Sequence, residues 1–350
     1  MSETTAPGWR FPLREALDPD MGQNSVQSYE LSGDEHFSLS VQAGPGGAER
    51  PELVLAKALD REEASLHELV LRAMDGGEPS RTGTVRLRVV VLDANDNAPV
   101  FSQREYTVRV PEDVPVGSTL VTVTATDGDE GTNGLVKYSF QTLSVKASQL
   151  FQLDSATGAI TFLRSLDFEE DDFYDFEVQA EDGGGLSDTA KVEVTVTDEN
   201  DNSPVISVRS TLSEISEDAP MRTVVALLHV QDRDSGLNGE VRCSLDGGVP
   251  FSLQSSRGSY YSVLVLAKAL DREEASLHEL VLRAMDGGEP SRTGTVRLRV
   301  VVLDANDNAP VFSQREYTVR VPEDVPVGST LVTLSATDAD EGTNGHVKYS

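Results

Sequence analysis

Apolar and polar residues alternate along most of this chain. In residues 84–91, Val85, Leu87, Val89 and Val91 point one way and Arg86 and Arg88 the other, the period of a half-buried strand. Ala190, Val192, Val194 and Val196 repeat that pattern, Tyr106, Val108 and Val110 open another run, and Phe176, Val178 and Ala180 a third. Turn formers punctuate the runs: Asp-Gly-Gly at 75–77 and 286–288, Gly-Gly-Gly at 183–185. Many short strands between frequent turns predict an all-β chain of sandwich modules. Residues 60–66 and their copy from Asp271 have a helix-like composition, but are too short and acidic for a core helix.

One stretch is written three times: Asp-Ala-Asn-Asp-Asn-Ala-Pro at 93–99, Asp-Glu-Asn-Asp-Asn-Ser-Pro at 198–204, and the first form again at 304–310. Each closes an alternating run, and the starts lie 105 and 106 residues apart, the length of one domain. The expected organisation is domains at 1–97, 98–202 and 203–308, with a partial, truncated one at 309–350. A second repetition cuts across this frame. Residues 53–139 reappear as 264–350 with four changes, Val123/Leu334, Thr124/Ser335, Gly128/Ala339 and Leu135/His346. The third domain therefore joins its own front half to a copy of the first domain's rear half. Unequal recombination between tandem genes and a misjoined gene model both account for it.

With 29 basic and 59 acidic residues the formal charge is −30, which repels nucleic acid and anionic membrane surfaces. Disorder is the plain reading of such acidity, but 38% hydrophobic residues in strand-like periods are enough for cores. The lone Cys243 allows no intrachain disulfide and sits in an alternating run as a buried small hydrophobe. No signal-peptide stretch opens the chain and no run of about 20 apolar residues crosses a membrane; the last residue, Ser350, falls inside a strand-like segment, so the sequence reads as a fragment. The five histidines show no metalloprotease or triad spacing, and no nucleophile elbow or phosphate loop occurs, so neither an enzyme nor a small-molecule substrate is expected.

The acids keep phase with the repeated stretch. A Glu falls in the first strand of each domain (Glu3, Glu112, Glu217, Glu323), and Asp-x-Asp follows (Asp18/Asp20, Asp127/Asp129, Asp232/Asp234, Asp338/Asp340). Asp-x-Glu comes mid-domain (Asp60/Glu62, Asp167/Glu169, Asp271/Glu273), then Asp75, Asp182 and Asp286 in glycine turns. Hard oxygen donors this dense suit Ca²⁺, which takes six to eight oxygens in flexible geometry. Turn formation alone explains one such segment, but not four motifs in constant phase. An EF-hand fails because its twelfth position, a bidentate Glu, is here Tyr29, Tyr138, Cys243 or Tyr349.

Leu-Asp-Arg-Glu, Ala-Met-Asp-Gly-Gly-Glu-Pro, Asp-Ala-Asn-Asp-Asn-Ala-Pro and Asp-Gly-Asp-Glu-Gly-Thr-Asn-Gly together resemble cadherin extracellular repeats. Arg10-Phe11-Pro12-Leu13, His36-Phe37-Ser38-Leu39 and the run from Asp232 to Gly239 resemble clustered protocadherins, most of all the gamma group. The resemblance covers nearly the whole chain and implies tandem Greek-key sandwiches of seven strands with calcium-binding linkers. Domains one and two correspond to the second and third extracellular repeats, and the front of domain three to the fourth.

The resemblance also implies the ligands. The first joint takes Glu3, Asp60, Glu62, Asp93, Asn95, Asp96, the Asn97 carbonyl, Asp127, Asp129, the Asn133 carbonyl and Asp182. The second takes Glu112, Asp167, Glu169, Asp198, Asn200, Asp201, Asn202, Asp232, Asp234, Asn238 and Asp286. The third has Glu217, Asp271, Glu273, Asp304, Asn306, Asp307, Asn308, Asp338, Asp340 and Asn344, and lacks a last Asp because the chain stops first. With the orphan half-site Asp18, Asp20 and Asp75, these hold 26 of the 59 acids. About three Ca²⁺ per joint would offset the charge. Without metal, carboxylates about 4 Å apart repel by roughly 4 kcal/mol at an effective dielectric of about 20, so an apo joint splays.

By resemblance the function is calcium-dependent homophilic adhesion at the extracellular side of the plasma membrane. The partners are the same isoform in trans and related protocadherins in cis, and the membrane is met only through a missing transmembrane segment. In such proteins the first four repeats pair antiparallel between cells, first with fourth and second with third. This chain lacks the first repeat, so calcium binding without strong adhesion of its own is the expectation. A calcium-rigidified spacer without recognition stays open as the alternative. Trp9 follows Pro7-Gly8 beyond the first strand, so a loop or partly buried place is expected, not the strand exchange of classical cadherins.

Overall fold

The computed structural model describes residues 1–44, 49–247, 250–255 and 260–350. These form two compact units, Met1–Leu166 with Asp171–Val196, and Asp167–Glu170 with Thr197–Ser350.

The first unit holds two sandwiches. In the first, a sheet of Val26–Ser32, Leu66–Asp75 and Thr82–Val90 packs on a sheet of Arg10–Pro12, Glu49–Leu55 and Phe37–Ala43. Phe37, Leu53, Leu55, Leu59, Leu69 and Val91 form the core between them. In the second, Lys137–Thr142, Phe173–Glu181, Ser187–Thr197 and Glu105–Pro111 make one sheet, and Phe151–Leu153, Ala159–Phe162 and Thr119–Thr122 the other. Register follows the period-two pattern: Phe176 faces Val192 and Val178 faces Ala190, all at most 3% exposed. A one-residue slip would turn every one of these side chains outward.

The second unit holds one complete sandwich of two four-stranded sheets. Val205–Thr211, Val224–Gln231, Tyr261–Leu266 and Phe251–Ser255 form the first, and Glu214–Ser216, Thr293–Leu303, Leu277–Met285 and Arg242–Asp246 the second. The opening strand changes sheets at Leu212 and Ser213: its first part pairs antiparallel with Val224–Gln231, its second parallel with Thr293–Leu303. Counted once, it gives the seven strands expected. Residues 311–350 carry only the short pair Val311–Phe312 and Ala336–Thr337.

The all-β expectation holds, with local differences at the helix, the turn glutamates and Cys243. A helix, Val145–Leu150, was not foreseen, because six residues are too few for a periodic signal; the Ser144 hydroxyl accepts from Ala147 N as its cap. Residues 60–64, too short and acidic for a core helix, form a single turn closed by Ala64 N donating to Asp60 O at 2.9 Å. Glu3, Glu112 and Glu217 sit one residue past their strands, in the turn. Trp9 lies in a loop, one of the two places expected for it, and is 56% exposed. Cys243 is half-buried rather than enclosed, and burial pushes its thiol pKa up, which keeps it unreactive.

Buried positions decide stability here. Ile160, fully enclosed in the second sandwich, is expected to cost roughly 2–5 kcal/mol as Ile160→Ala. Val145→Ala, at a 78% exposed position, is expected to change stability by less than about 0.5 kcal/mol. Denaturant unfolding of the two variants checks the contrast.

Candidate metal centre

Each Asp-x-Asn-Asp-Asn stretch leaves a strand with its side chains pinned by the neighbouring segments. At the first, Asp93 Oδ1 accepts from Glu130 N at 2.9 Å and Oδ2 from Asn133 Nδ2 at 2.8 Å. Asp198 does the same with Ser235 N and Asn238 Nδ2, both at 2.8 Å, and Asp304 with Glu341 N and Asn344 Nδ2 at 2.9 and 2.8 Å. Asn97, Asn202 and Asn308 each donate Nδ2 to an Asp-x-Asp carboxylate, Asp129, Asp234 and Asp340, at 2.9, 2.7 and 2.9 Å. Within each Asp-x-Asp the first carboxylate, Asp127, Asp232 or Asp338, accepts from the second residue's amide. Asp20 N donates to Asp18 in the same way at 3.0 Å.

The turn glutamates complete the frame. Glu3 Oε1 accepts from Ala94 N at 2.6 Å and Oε2 from Arg61 N at 2.7 Å; Glu217 repeats both contacts with Ala305 and Arg272 at the same distances. Leaving the strand one residue early is what turns this carboxylate back toward the linker. Glu112 is buried in the first unit, 3% exposed. Asp60, Asp167 and Asp271 each cap their turn by accepting from the amide three residues on.

The structure gathers oxygens into ion-sized groups. Glu3, Glu62 and Asp96 place carboxylate oxygens within 4.8 Å of one another, as do Glu62, Asp93 and Asp129, and in the second unit Glu169, Asp198 and Asp234. The eight buried carboxylates among the described residues are Glu3, Glu112, Asp129, Asp182, Glu217, Asp234, Asp286 and Asp340. All eight were expected as ligands, and carboxylates are rarely buried unless paired or bound to metal. Asn95 Oδ1, Asp127 Oδ2, Asp182 Oδ2, Asn200 Oδ1, Asp232 Oδ2 and Asp340 Oδ2 are buried without a hydrogen-bond partner. These orphaned oxygens fit a hard cation and no neutral donor present.

Electrostatics agree. Burial and the nearby charges of Glu3, Asp129 and Asp60 push the Asp96 carboxyl up. Burial with Glu217, Asp340 and Asp271 does the same to Asp307. Burial also works to raise Asp93, but donation from Asn133, Glu130 N and Arg61 brings it down on balance.

Two kinds of participant were missed in the sequence. Arg61 donates Nε to Asp93 Oδ1 at 2.5 Å and Nη2 to Gly128 O at 2.8 Å, and also pairs with Glu62. Arg272 repeats this with Asp304 at 2.7 Å, Glu273 at 2.7 Å and Ala339 O at 3.3 Å. Both stand between the acids of Asp-x-Glu, where Phe168 takes the corresponding place between Asp167 and Glu169. The motif Leu-Asp-Arg-Glu carried the signal, but a basic residue in an acidic motif reads as surface. The others are glycines. A Cβ at Gly134, Gly239 or Gly345 would lie 2.1 Å from the main-chain oxygen of Asp129, Asp234 or Asp340. One at Gly184 or Gly288 would collide with the Asn95 or Asn200 amide at 2.2 and 2.3 Å. Asn306 meets no such turn and is exposed.

This repeated geometry and the sandwiches that carry it place the chain in a known class: a profile of the cadherin domain matches residues 1–92, 106–197 and 212–303, and the chain belongs to the cadherin family. It is 51% identical to human protocadherin gamma-A9 over all 350 residues, spanning 37% of that protein's length. It superposes on the protocadherin gamma-B4 extracellular domain with a TM-score of 0.89 at 44% identity, covering 99% of this chain and 54% of that one. A protocadherin gamma-B7 EC3-6 cis-dimer structure matches at TM-score 0.64 and 44% identity, over 71% of this chain and 57% of that one. The resemblance to gamma protocadherins read from the motifs is thereby borne out.

Gly134→Ala is expected to force the Asp129 backbone aside and destabilise the protein by roughly 1–3 kcal/mol. Gly83→Ala, where nothing lies within 4 Å, is expected to be neutral or slightly stabilising. Thermal unfolding of both variants is the check.

Proposed function

We propose that this chain is a calcium-stiffened part of a homophilic adhesion ectodomain. Its repeats are assigned to 1–97, 98–202, 203–308 and 309–350. The observation that carries the reading is the burial of eight carboxylates in one repeated geometry. Burying that many like charges without a counter-ion is unfavourable by several kcal/mol each.

Glu3, Asp60, Glu62, Asp93, Asn95, Asp96, Asp127, Asp129 and Asp182, with the Asn97 and Asn133 carbonyls, are the ligands at the first linker. Their counterparts serve at the second and third. Calcium, when bound, supplies positive charge that cancels the mutual repulsion of these carboxylates and takes up their unpartnered oxygens. Asn133, Asn238 and Asn344 commit their side-chain amides to the linker aspartates Asp93, Asp198 and Asp304 and fix where those carboxylates point. Asn97, Asn202 and Asn308 tie each linker to the Asp-x-Asp segment that follows. A linker fixed in this way presents the sandwich faces of successive repeats in one arrangement, so recognition of a second copy carries little ordering cost. The partners are the same isoform in trans and related protocadherins in cis, on the extracellular side of the plasma membrane. The relative solved as a cis-dimer supports lateral pairing of such chains.

The decisive experiment is calcium titration of chelated protein by calorimetry, with solution scattering at each end. Saturable uptake with a change in the protein's dimensions is expected; no uptake, or dimensions indifferent to chelation, sinks the proposal. Asp93→Asn is expected to weaken uptake at the first linker roughly tenfold or more, about 1.4 kcal/mol. Arg61→Ala removes a cation that shares Asp93 and is expected to tighten the first linker about fivefold, roughly 1 kcal/mol. The same variant should expand the chelated protein, since the guanidinium then no longer bridges Asp93 and Gly128.

A further inference from the structure

Another group of donors lies outside the linkers, at the turn before Phe37–Ala43 and the start of Leu66–Asp75. Asp34 Oδ1 lies 2.7 Å from His36 Nδ1, and Asp34 Oδ2 lies 2.7 Å from His67 Nδ1. The two rings are 4.9 Å apart, and Asp34, His36 and His67 each bring one ligand atom within 4.8 Å of the others. His67 is 3% exposed, and its Nε2 has no hydrogen-bond partner. Asp34 and His36 keep 28% and 25% of their side-chain surface, which leaves a path from solvent.

We propose that Asp34, His36 and His67 bind one divalent transition ion of the zinc type. Two imidazoles and a carboxylate are borderline donors, matched to zinc and poorly to calcium, which prefers oxygen alone. Three protein ligands leave a fourth position for water on the exposed side of Asp34 and His36. Binding replaces the two hydrogen bonds that now tie the rings to Asp34, with both imidazoles neutral.

The chain contains its own control. His278 is the copy of His67 in the duplicated block, and it keeps the edge-on ring contact, to Phe251 at 5.4 Å where His67 meets Phe37 at 5.5 Å. Pro250 O accepts from Ala267 N at 2.7 Å just as His36 O accepts from Ala56 N at 2.7 Å, so Pro250 occupies the place of His36. Among the described residues no carboxylate answers His278, and burial alone moves its pKa down. In the second sandwich Leu150 O and Tyr174 fill the equivalent places, with Phe151 edge-on to Tyr174 at 5.6 Å. The front half of the first domain supplies the other two donors, Asp34 and His36.

The test is titration of the full chain with Co²⁺ in saturating calcium, which keeps the linker carboxylates occupied. One equivalent is expected to develop the intense visible absorption of a four-coordinate nitrogen–oxygen site, displaced by Zn²⁺. His36→Gln, at a part-exposed position, and Asp34→Asn are expected to abolish that absorption and weaken binding by more than about tenfold, while His278→Gln leaves it intact. Zn²⁺ is also expected to raise the unfolding midpoint of the wild-type chain and not of His36→Gln. A wild-type chain without the absorption, or an absorption that survives His36→Gln or is lost with His278→Gln, overturns the proposal and leaves Asp34 as a hydrogen-bonding hub alone.

Discussion

Like charges buried close together are the constraint on which the rest of this structure depends. An isolated carboxylate taken out of water costs several kcal/mol, and a second beside it adds repulsion in a medium that screens poorly. The chain nevertheless buries Glu3, Asp129 and Asp182 around one linker. It manages part of the charge with main-chain amides, part with asparagine side chains and part with Arg61. What these donors do not reach are the orphaned oxygens of Asn95, Asp127 and Asp182. Amides fix where each carboxylate points, and the leftover oxygens define what is still missing.

That division explains why glycine and asparagine are as necessary as the acids. Asn133 holds Asp93 through its side chain. Gly134 then lets the backbone pass the Asp129 carbonyl at a distance no side chain tolerates. Gly184 packs on the Asn95 amide for the same reason. A ligand set made only of aspartate and glutamate would bind cations, but would lack the close approaches that fix one linker against the next sandwich.

The strands and the clustering of oxygen donors were legible in the sequence because both are local. Val192 and Val194 announce a strand by alternation, and Asp93, Asn95 and Asp96 announce oxygen chemistry by density. Side-chain reach is not local. Arg61 lies 32 positions from Asp93, and nothing in the spacing says that its guanidinium folds inward. His67 and Asp34 are 33 positions apart and meet only because a turn and a neighbouring strand start side by side. The helix Val145–Leu150 escaped because its six residues span under two turns. Glu3, Glu112 and Glu217 were placed within strands because alternation does not mark the residue at which pairing ends.

The duplicated block separates what a sequence dictates from what its surroundings dictate. The linker's local contacts transfer: Asp304 and Asn308 keep the amide partners of Asp93 and Asn97 at the same distances, and Arg272 donates to the counterparts of the groups that Arg61 reaches. The strand before it does not. Leu298 is 8% exposed and Val300 fully buried, whereas Leu87 and Val89 are only half-covered and Val85 is 51% exposed. In the second unit, Val205–Thr211 packs beside this strand and Pro204 closes on Gly294. In the first, residues 13–16 flank it across a cavity of about 440 Å³. The linkers are stapled by their own short-range polar contacts and keep their form in any host, while a strand face is finished by whatever front half is laid against it. Recombination at mid-domain can therefore exchange faces without disturbing the joints, and a histidine such as His67 can acquire new chemistry simply by meeting a different front half.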